Sequence, residues 1–261
     1  MDVSFFLGEL ETLGRDMVDV VRTTPLDAPV PTCPGWDLRD LTLHTGFVWL
    51  HNTEAVRGEW EDEEPPWTHT EEAEAAIDDV AVWLSDALDE MIHAFSTADL
   101  SVPRATWCPH EHTADWWVRR MAHETLIHGI DASIAAGRPI PPESGLGADG
   151  VDEIIDEMLS GAPSWAVITP GDRSIRLEGA GRSWDLVSMT WSGTSTYSGT
   201  TYTNEPGVTE EPVDTPDTTV SADPLTLDVW LWGRGGLPTG AVAGDASLVD
   251  DLRAVAAEAT Q

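Results

Sequence analysis

Hydrophobic positions in the first half of the chain recur at helical spacing. Over residues 3 to 22, Phe6, Leu10, Leu13, Met17, Val20 and Val21 fall at three- and four-residue intervals, which predicts a helix with one buried face. After the turn APVPTCPGW a second helix is expected from Asp37, whose carboxylate suits the first free N–H groups, with Leu41, His44, Val48 and His51 along its stripe. A third is expected over 71 to 95, carrying Ile77, Val80, Leu84, Leu88, Met91 and Ile92. A fourth is expected over 113 to 136, with Trp117, Met121, Glu124, Ile127 and His128 on or near one side. Four long helices predict an antiparallel bundle with one longer crossover.

The pattern changes at AGRPIPPESGLGADG, residues 136 to 150, whose Pro and Gly cannot continue a helix. The chain therefore divides into a bundle, 1–140, and a smaller second domain, 141–261. In the latter, VDEIIDEMLSG reads as a short helix, and the alternation in RSIRLEGA and SWDLVSMTW reads as strands. Residues 192–218 are rich in Ser, Thr, Gly, Pro and acids, and predict a long, exposed acidic loop. ADPLTLDVWLWGR and DASLVDDLRAVAAEA read as closing helices, which gives an α+β class with a small sheet.

Charge narrows the partners. The 261 residues carry a formal charge of −34, with 47 acids against 13 basic residues, and every basic residue is arginine. Such a surface repels nucleic acid and anionic lipid. The N-terminus lacks a basic start and a continuous apolar run, and no eighteen apolar residues follow one another, so a soluble cytoplasmic protein with no membrane partner is expected. Cys33 and Cys108 lack Cys-x-x-Cys spacing, which argues against a disulfide framework or zinc knuckle.

Candidate chemistry centres on MAHETLIHGIDA, residues 121 to 132. A zinc-protease helix needs His-Glu-x-x-His, because histidines at i and i+4 share a face. Here His123 and His128 are five apart and diverge by about 140° on a helix. Glu124 and His128 are the pair at i and i+4. An ionised glutamate on the inner side of a bundle needs a compensating cation or donor, and a third donor from a neighbouring helix would complete a metal site with an open position. His44 is one candidate for that third donor; His110 and His112 form a His-x-His in the loop before the fourth helix, and His51 suits an outer partner or proton relay. Trp36, Trp116, Trp117, Trp230 and Trp232 suggest an aromatic cleft, but thirteen tryptophans beside two tyrosines and four phenylalanines favour core filling.

Four segments in order, VPTCPGWDLRDLTLHTG, WWVRRMAHETLIHGIDA, GLGADGVDEIIDEML and LTLDVWLWGRG, resemble the mycothiol-dependent maleylpyruvate isomerase family over nearly the whole chain. The resemblance implies a DinB-like metal-binding bundle, a divalent metal, usually zinc, and His44, Glu124 and His128 as its ligands. It also implies mycothiol as thiol cosubstrate, with an electrophilic second substrate and either cis–trans isomerisation of a maleylpyruvate-like enedioate or S-transfer. Arg234, in WLWGRG, is the catalytic candidate that would hold a substrate carboxylate through two parallel hydrogen bonds. Partners are then small molecules, and the protein a monomer or homodimer. Two other classes fit the same residues: a non-catalytic metal- or ligand-binding module, and a zinc-dependent hydrolase using bound water.

Overall fold

The computed structural model describes residues 2–58, 60, 65–106, 112–140 and 145–260. Chain contacts divide it into two units, Met1–Pro142 and Glu143–Gln261. None of the helices among the described residues is long and apolar enough to cross a membrane.

The first unit is the expected bundle. Helix α1 (Val3–Thr23) buries the stripe from Phe6 to Val21, and α2 (Leu38–Arg57) starts at Asp37 in a capping box: Asp40 N–H donates to the Asp37 side chain, and Asp37 N–H to that of Asp40. The third predicted helix is in fact two, α3 (Glu71–Ala75) and α4 (Val80–Thr97). Asp79 accounts for the break, because its carboxylate accepts from Ala81 N–H and Val82 N–H and so starts a new helix. Ile77, in the break, still packs against the Leu43, Phe47 and Val80 cluster, which is why the apolar stripe ran through it. A two-residue ladder, β1 (Pro103–Arg104) with β2 (His112–Thr113), precedes α5 (Ala114–Ala135). Helices α1 and α2 each pack on both α4 and α5, leaving α1 and α2 at diagonal corners. The α2–α5 seam is keyed by polar contacts: Trp49 Nε1–H donates to Thr125 Oγ1 at 3.0 Å, and Asn52 Nδ2 lies 3.3 Å from Met121 Sδ. These fix how α2 and α5 are turned toward each other.

The second unit opens with α6 (Gly147–Glu153), which runs into a π-helical turn, Ile154–Leu159. Glycines let α6 lie close on α7 (Pro224–Leu231): a β-carbon at Gly147 would meet Leu225 N at 2.5 Å, and one at Gly150 would meet Asp228 Oδ2 at 2.2 Å. Strands β3 (Val167–Gly179) and β4 (Arg182–Thr194) form an antiparallel hairpin. Its two-residue turn, Ala180–Gly181, has both φ positive, as a type I′ turn requires. The sheet order is β5-β4-β3-β6-β7, where β5 is Thr201–Glu210, β6 is Thr218–Ser221 and β7 is Val242–Gly244. Helix α8 (Ser247–Ala259) packs on the π-helical turn, β3 and β5.

The expectation of a long acidic loop over 192–218 is corrected. Residues 201–210 pair antiparallel with β4 as an edge strand, and 218–221 pair parallel with β3. Leu186 to Asn204 contains no charged residue, so the acids begin only at Glu205. The Thr- and Ser-rich composition that suggests a loop also suits an exposed edge strand, where β-branched threonine is favoured and Pro206 is tolerated. Strand β4 is correspondingly longer than the run SWDLVSMTW.

Candidate metal centre

Two local features bring the site together. The first is the loop before α2. Trp36 N–H donates to Cys33 O at 3.0 Å, closing a turn with Pro34 and Gly35 at its centre and Gly35 at φ +91°. That pairing is a type II turn, in which proline presets the first central residue and glycine alone tolerates the second. The turn lays Trp36 against His44 of α2, with ring centroids 5.0 Å apart.

The second feature is the run of polar side chains along α5. Arg120, Glu124 and His128 follow at four-residue steps on one face, and Asp131 lies three further on. Arg120 Nη2 donates to Glu124 Oε2. His128 Nε2 lies 3.0 Å from the other oxygen, Glu124 Oε1, and His44 Nε2 lies 3.8 Å from that same oxygen. On the far side of the His128 ring, Nδ1 is 3.0 Å from Asp131 Oδ2. Cys33 Sγ donates to the same Oδ2 at 3.6 Å. The structure thus brings together His44, Glu124 and His128: one donor atom from each lies within 4.8 Å of the others.

Their electrostatics favour charge separation. Burial works against ionisation of Glu124, but the His128 and Arg120 charges and hydrogen bonds with His128 and His44 outweigh it, holding the carboxyl well below the usual carboxylate range. Burial likewise opposes the His128 cation, and the Glu124 charge and the hydrogen bonds with Asp131 and Glu124 overcome it, raising His128 to about 9. In the metal-free protein a proton therefore sits between Nε2 and Oε1.

The donor set fits a divalent ion. Tetrahedral zinc with bonds of about 2.1 Å places its ligand atoms about 3.4 Å apart. The separations of 3.0 and 3.8 Å bracket that value, and small side-chain rotations close the rest. Two imidazoles with one carboxylate suit zinc and its neighbours in the divalent series. A buried carboxylate on the remote nitrogen of a ligand histidine is the usual outer partner of such a centre.

Other expected residues fall elsewhere. Cys108 and His110 lie outside the described residues, as does the side chain of His112. His51 meets Trp67 edge-on at 4.4 Å, and the buried His123 packs against Phe6. Trp116, Trp117, Trp230 and Trp232 are buried, and Trp36 lies against His44. Arg234, in the second unit, donates to Trp232 O at 2.6 Å and lies over that ring. Arg253 donates to Leu231 O beside it, and burial and the Arg234 charge lower its pKa. Sequence reasoning left Arg120 and Asp131 unassigned, although both stand at helical spacing from His128, at i−8 and i+3.

Residues 7–133 match the family described as the mycothiol maleylpyruvate isomerase N-terminal domain. Among solved structures, the chain is similar to a mycothiol-dependent maleylpyruvate isomerase at TM-score 0.55 and 14% identity, over 93% of this chain and 92% of that one. It is also similar to a histidine-to-alanine mutant of such an isomerase at TM-score 0.53 and 14% identity, over 90% of each chain. At that identity the likeness speaks to the fold. No curated protein gives a significant match.

Proposed function

We propose that this chain, whose residues 7–133 match the mycothiol maleylpyruvate isomerase N-terminal domain, is a metal-dependent enzyme that activates a low-molecular-weight thiol, mycothiol in the first instance. The reaction best supported is cis–trans isomerisation of a maleylpyruvate-like enedioate, with S-transfer to another electrophile as the related outcome. The observation that carries this reading is the convergence of His44 Nε2, Glu124 Oε1 and His128 Nε2 on one point.

These three atoms would hold the ion, zinc by preference. When bound, zinc supplies the positive charge that makes a thiol, ordinarily near pKa 8.5, a thiolate at neutral pH. The chain's own residues prepare that position. Arg120 occupies Oε2 of Glu124, which keeps Oε1 turned toward both imidazoles. Asp131 accepts Nδ1–H of His128, so that the proton a metal would displace is the one on Nε2, leaving that nitrogen's lone pair for the ion. Trp36 limits rotation of the His44 ring. Three protein donors would leave a position for a thiol sulfur; addition of the thiolate to a cis-enedioate carbon, with the electron pair moving onto the conjugated carbonyl, would give a single bond free to rotate before the pair returns and the thiolate leaves.

The substrate carboxylates need a cation that overcomes a field of −34 charges. Arg234 is our candidate, with Arg253 beside it adding to the local positive potential. The test is metal content and thiol-dependent isomerisation of maleylpyruvate by the purified chain, beside a His44→Ala, Glu124→Ala double variant. We expect about one zinc per chain, lost in the variant together with turnover. Turnover of an ester or amide without thiol would favour a hydrolase, and a chain that stays metal-free after zinc reconstitution would sink both enzyme readings.

A further inference from the structure

We propose that Cys33 is a positioning residue for the metal centre: its thiol latches Asp131, and Asp131 in turn holds the His128 ring in its ligand orientation. The inference rests on the metal reading above for its consequence, and on geometry alone for the link itself.

Two donors converge on one oxygen. His128 Nδ1 lies 3.0 Å from Asp131 Oδ2, and Cys33 Sγ lies 3.6 Å from the same atom. The Asp131 side chain has no exposed surface. A carboxylate this deep is held by its donors, since water cannot replace one that is lost. His128 and Asp131 are neighbours on α5, so both move with the same helix. Cys33 is 98 residues away in sequence, on the loop before α2. It is therefore a donor that ties the orientation of the α5 carboxylate to the loop before α2.

The loop is built to hold that donor still. Cys33 N–H donates to Val30 O at 3.1 Å, Val30 N–H to Trp36 O at 3.0 Å, and Trp36 N–H to Cys33 O at 3.0 Å. The same few residues thus touch both ligand histidines: Trp36 lies directly against His44, and Cys33 reaches His128 through Asp131. One rigid turn braces one imidazole from each of two helices.

Within hydrogen-bond distance of a carboxylate oxygen, the Cys33 thiol is placed to donate. The cysteine of the CPGW segment thereby acquires a role distinct from that of the thiol substrate. When the latch is absent, Asp131 gains freedom to turn, the Nδ1–H bond is held part of the time, and the ring presents Nε2 less consistently.

The test uses the full chain and three variants, Cys33→Ala, Cys33→Ser and Asp131→Asn. Zinc affinity is measured by competition with a chromophoric chelator, and the His128 Nδ1–H by nitrogen-15 NMR and its exchange with water, in metal-free and zinc-loaded protein. Asp131→Asn should weaken zinc by about ten- to a hundredfold, the range for removing an outer partner of a ligand histidine. Cys33→Ala should weaken it by about three- to tenfold and speed Nδ1–H exchange, while Cys33→Ser, which keeps a donor, should restore both. Equal affinity and exchange in Cys33→Ala and the unaltered chain would overturn the proposal. A serine variant as impaired as the alanine one would also overturn it, since the effect would then come from packing. If the unaltered chain binds no zinc, the metal reading fails, and Nδ1–H exchange in the metal-free variants still decides whether Cys33 holds His128.

Discussion

His44 and His128 meet edge-to-face, with ring centroids 5.0 Å apart and planes at 79°. They come from α2 and α5, whose relative rotation is set by the Trp49–Thr125 hydrogen bond and the Asn52–Met121 contact one to two turns further along α2. This edge-to-face pose brings both Nε2 atoms toward one oxygen of Glu124, the one that Arg120 leaves accessible.

Replacing Glu124 separates charge from shape. Glu124→Gln keeps the volume and a donor-accepting carbonyl, but removes the negative charge that faces Arg120 and His128. Zinc affinity should fall by at least about a hundredfold, since the one anionic ligand of the three is lost and the Arg120 charge beside the ion is no longer offset. Glu124→Ala should also destabilise the metal-free fold by about 3 kcal/mol, because two buried cations lose their shared counter-ion. Chelator competition and urea unfolding of the two variants measure these effects; a stable alanine variant would mean that the pair does not support the fold.

Zinc uptake should release a proton. His128 is raised to about 9, so at neutral pH its Nε2 carries a proton that the metal must displace. Apparent affinity should therefore rise with pH, by about tenfold per unit, and level off as pH passes the folded value of His128. Below the usual carboxylate range Glu124 remains ionised longer than an ordinary glutamate, so it adds no second step above its lowered value. Calorimetry at pH 7 in buffers of different ionisation enthalpy reports the release, with about one proton per zinc expected from His128.

The bundle was legible because amphipathic spacing and capping are local. The α1 stripe and the Asp37 cap follow from neighbours a few residues apart. The same locality explains the split of the third helix, where the apolar stripe crosses a gap that Asp79 caps. The Glu124–His128 pair could be read from i, i+4 spacing, whereas His44 had to be chosen among several histidines, since pairing across 80 residues leaves no mark at short range. Strand β5 went unread for the same reason. Its exposed, Thr-rich sequence gains its partners only when β4 is extended beside it.

Gly35 is where the loop depends on backbone freedom. Its φ of +91° is open to glycine and strained for any residue with a β-carbon, although no atom stands within 4 Å of where that carbon would be. Gly35→Ala should thus cost about 1–2 kcal/mol through backbone strain and not through a clash. Because the turn carries both Cys33 and Trp36, zinc affinity should fall along with stability. Thermal unfolding with and without zinc separates the two effects: the shift conferred by zinc should shrink if the turn braces the ligands, and remain unchanged if it affects the fold alone.

Asp185 anchors the acidic segment that follows β5. It accepts from Arg176 Nε at 2.6 Å and Nη2 at 2.8 Å, and from Val213 N–H at 3.0 Å, while its carbonyl accepts from Glu211 N–H. Hydrogen bonding with Arg176 dominates, and holds the carboxyl below its ordinary value of 3.8 despite partial burial. A lowered folded value means that the stabilisation is present above about pH 4 and is lost as pH falls through the folded value. Asp185→Asn removes the paired acceptor for the guanidinium and weakens the acceptor for Val213. We expect faster hydrogen exchange at Val213, with β3–β4 amides such as Leu177 and Leu186 still protected. In acid, the unaltered protein should approach the variant's exchange rate at Val213, because protonation of Asp185 removes the same charge. A Val213 amide indifferent to both the substitution and pH would show that Asp185 does not hold the Glu211–Asp217 stretch.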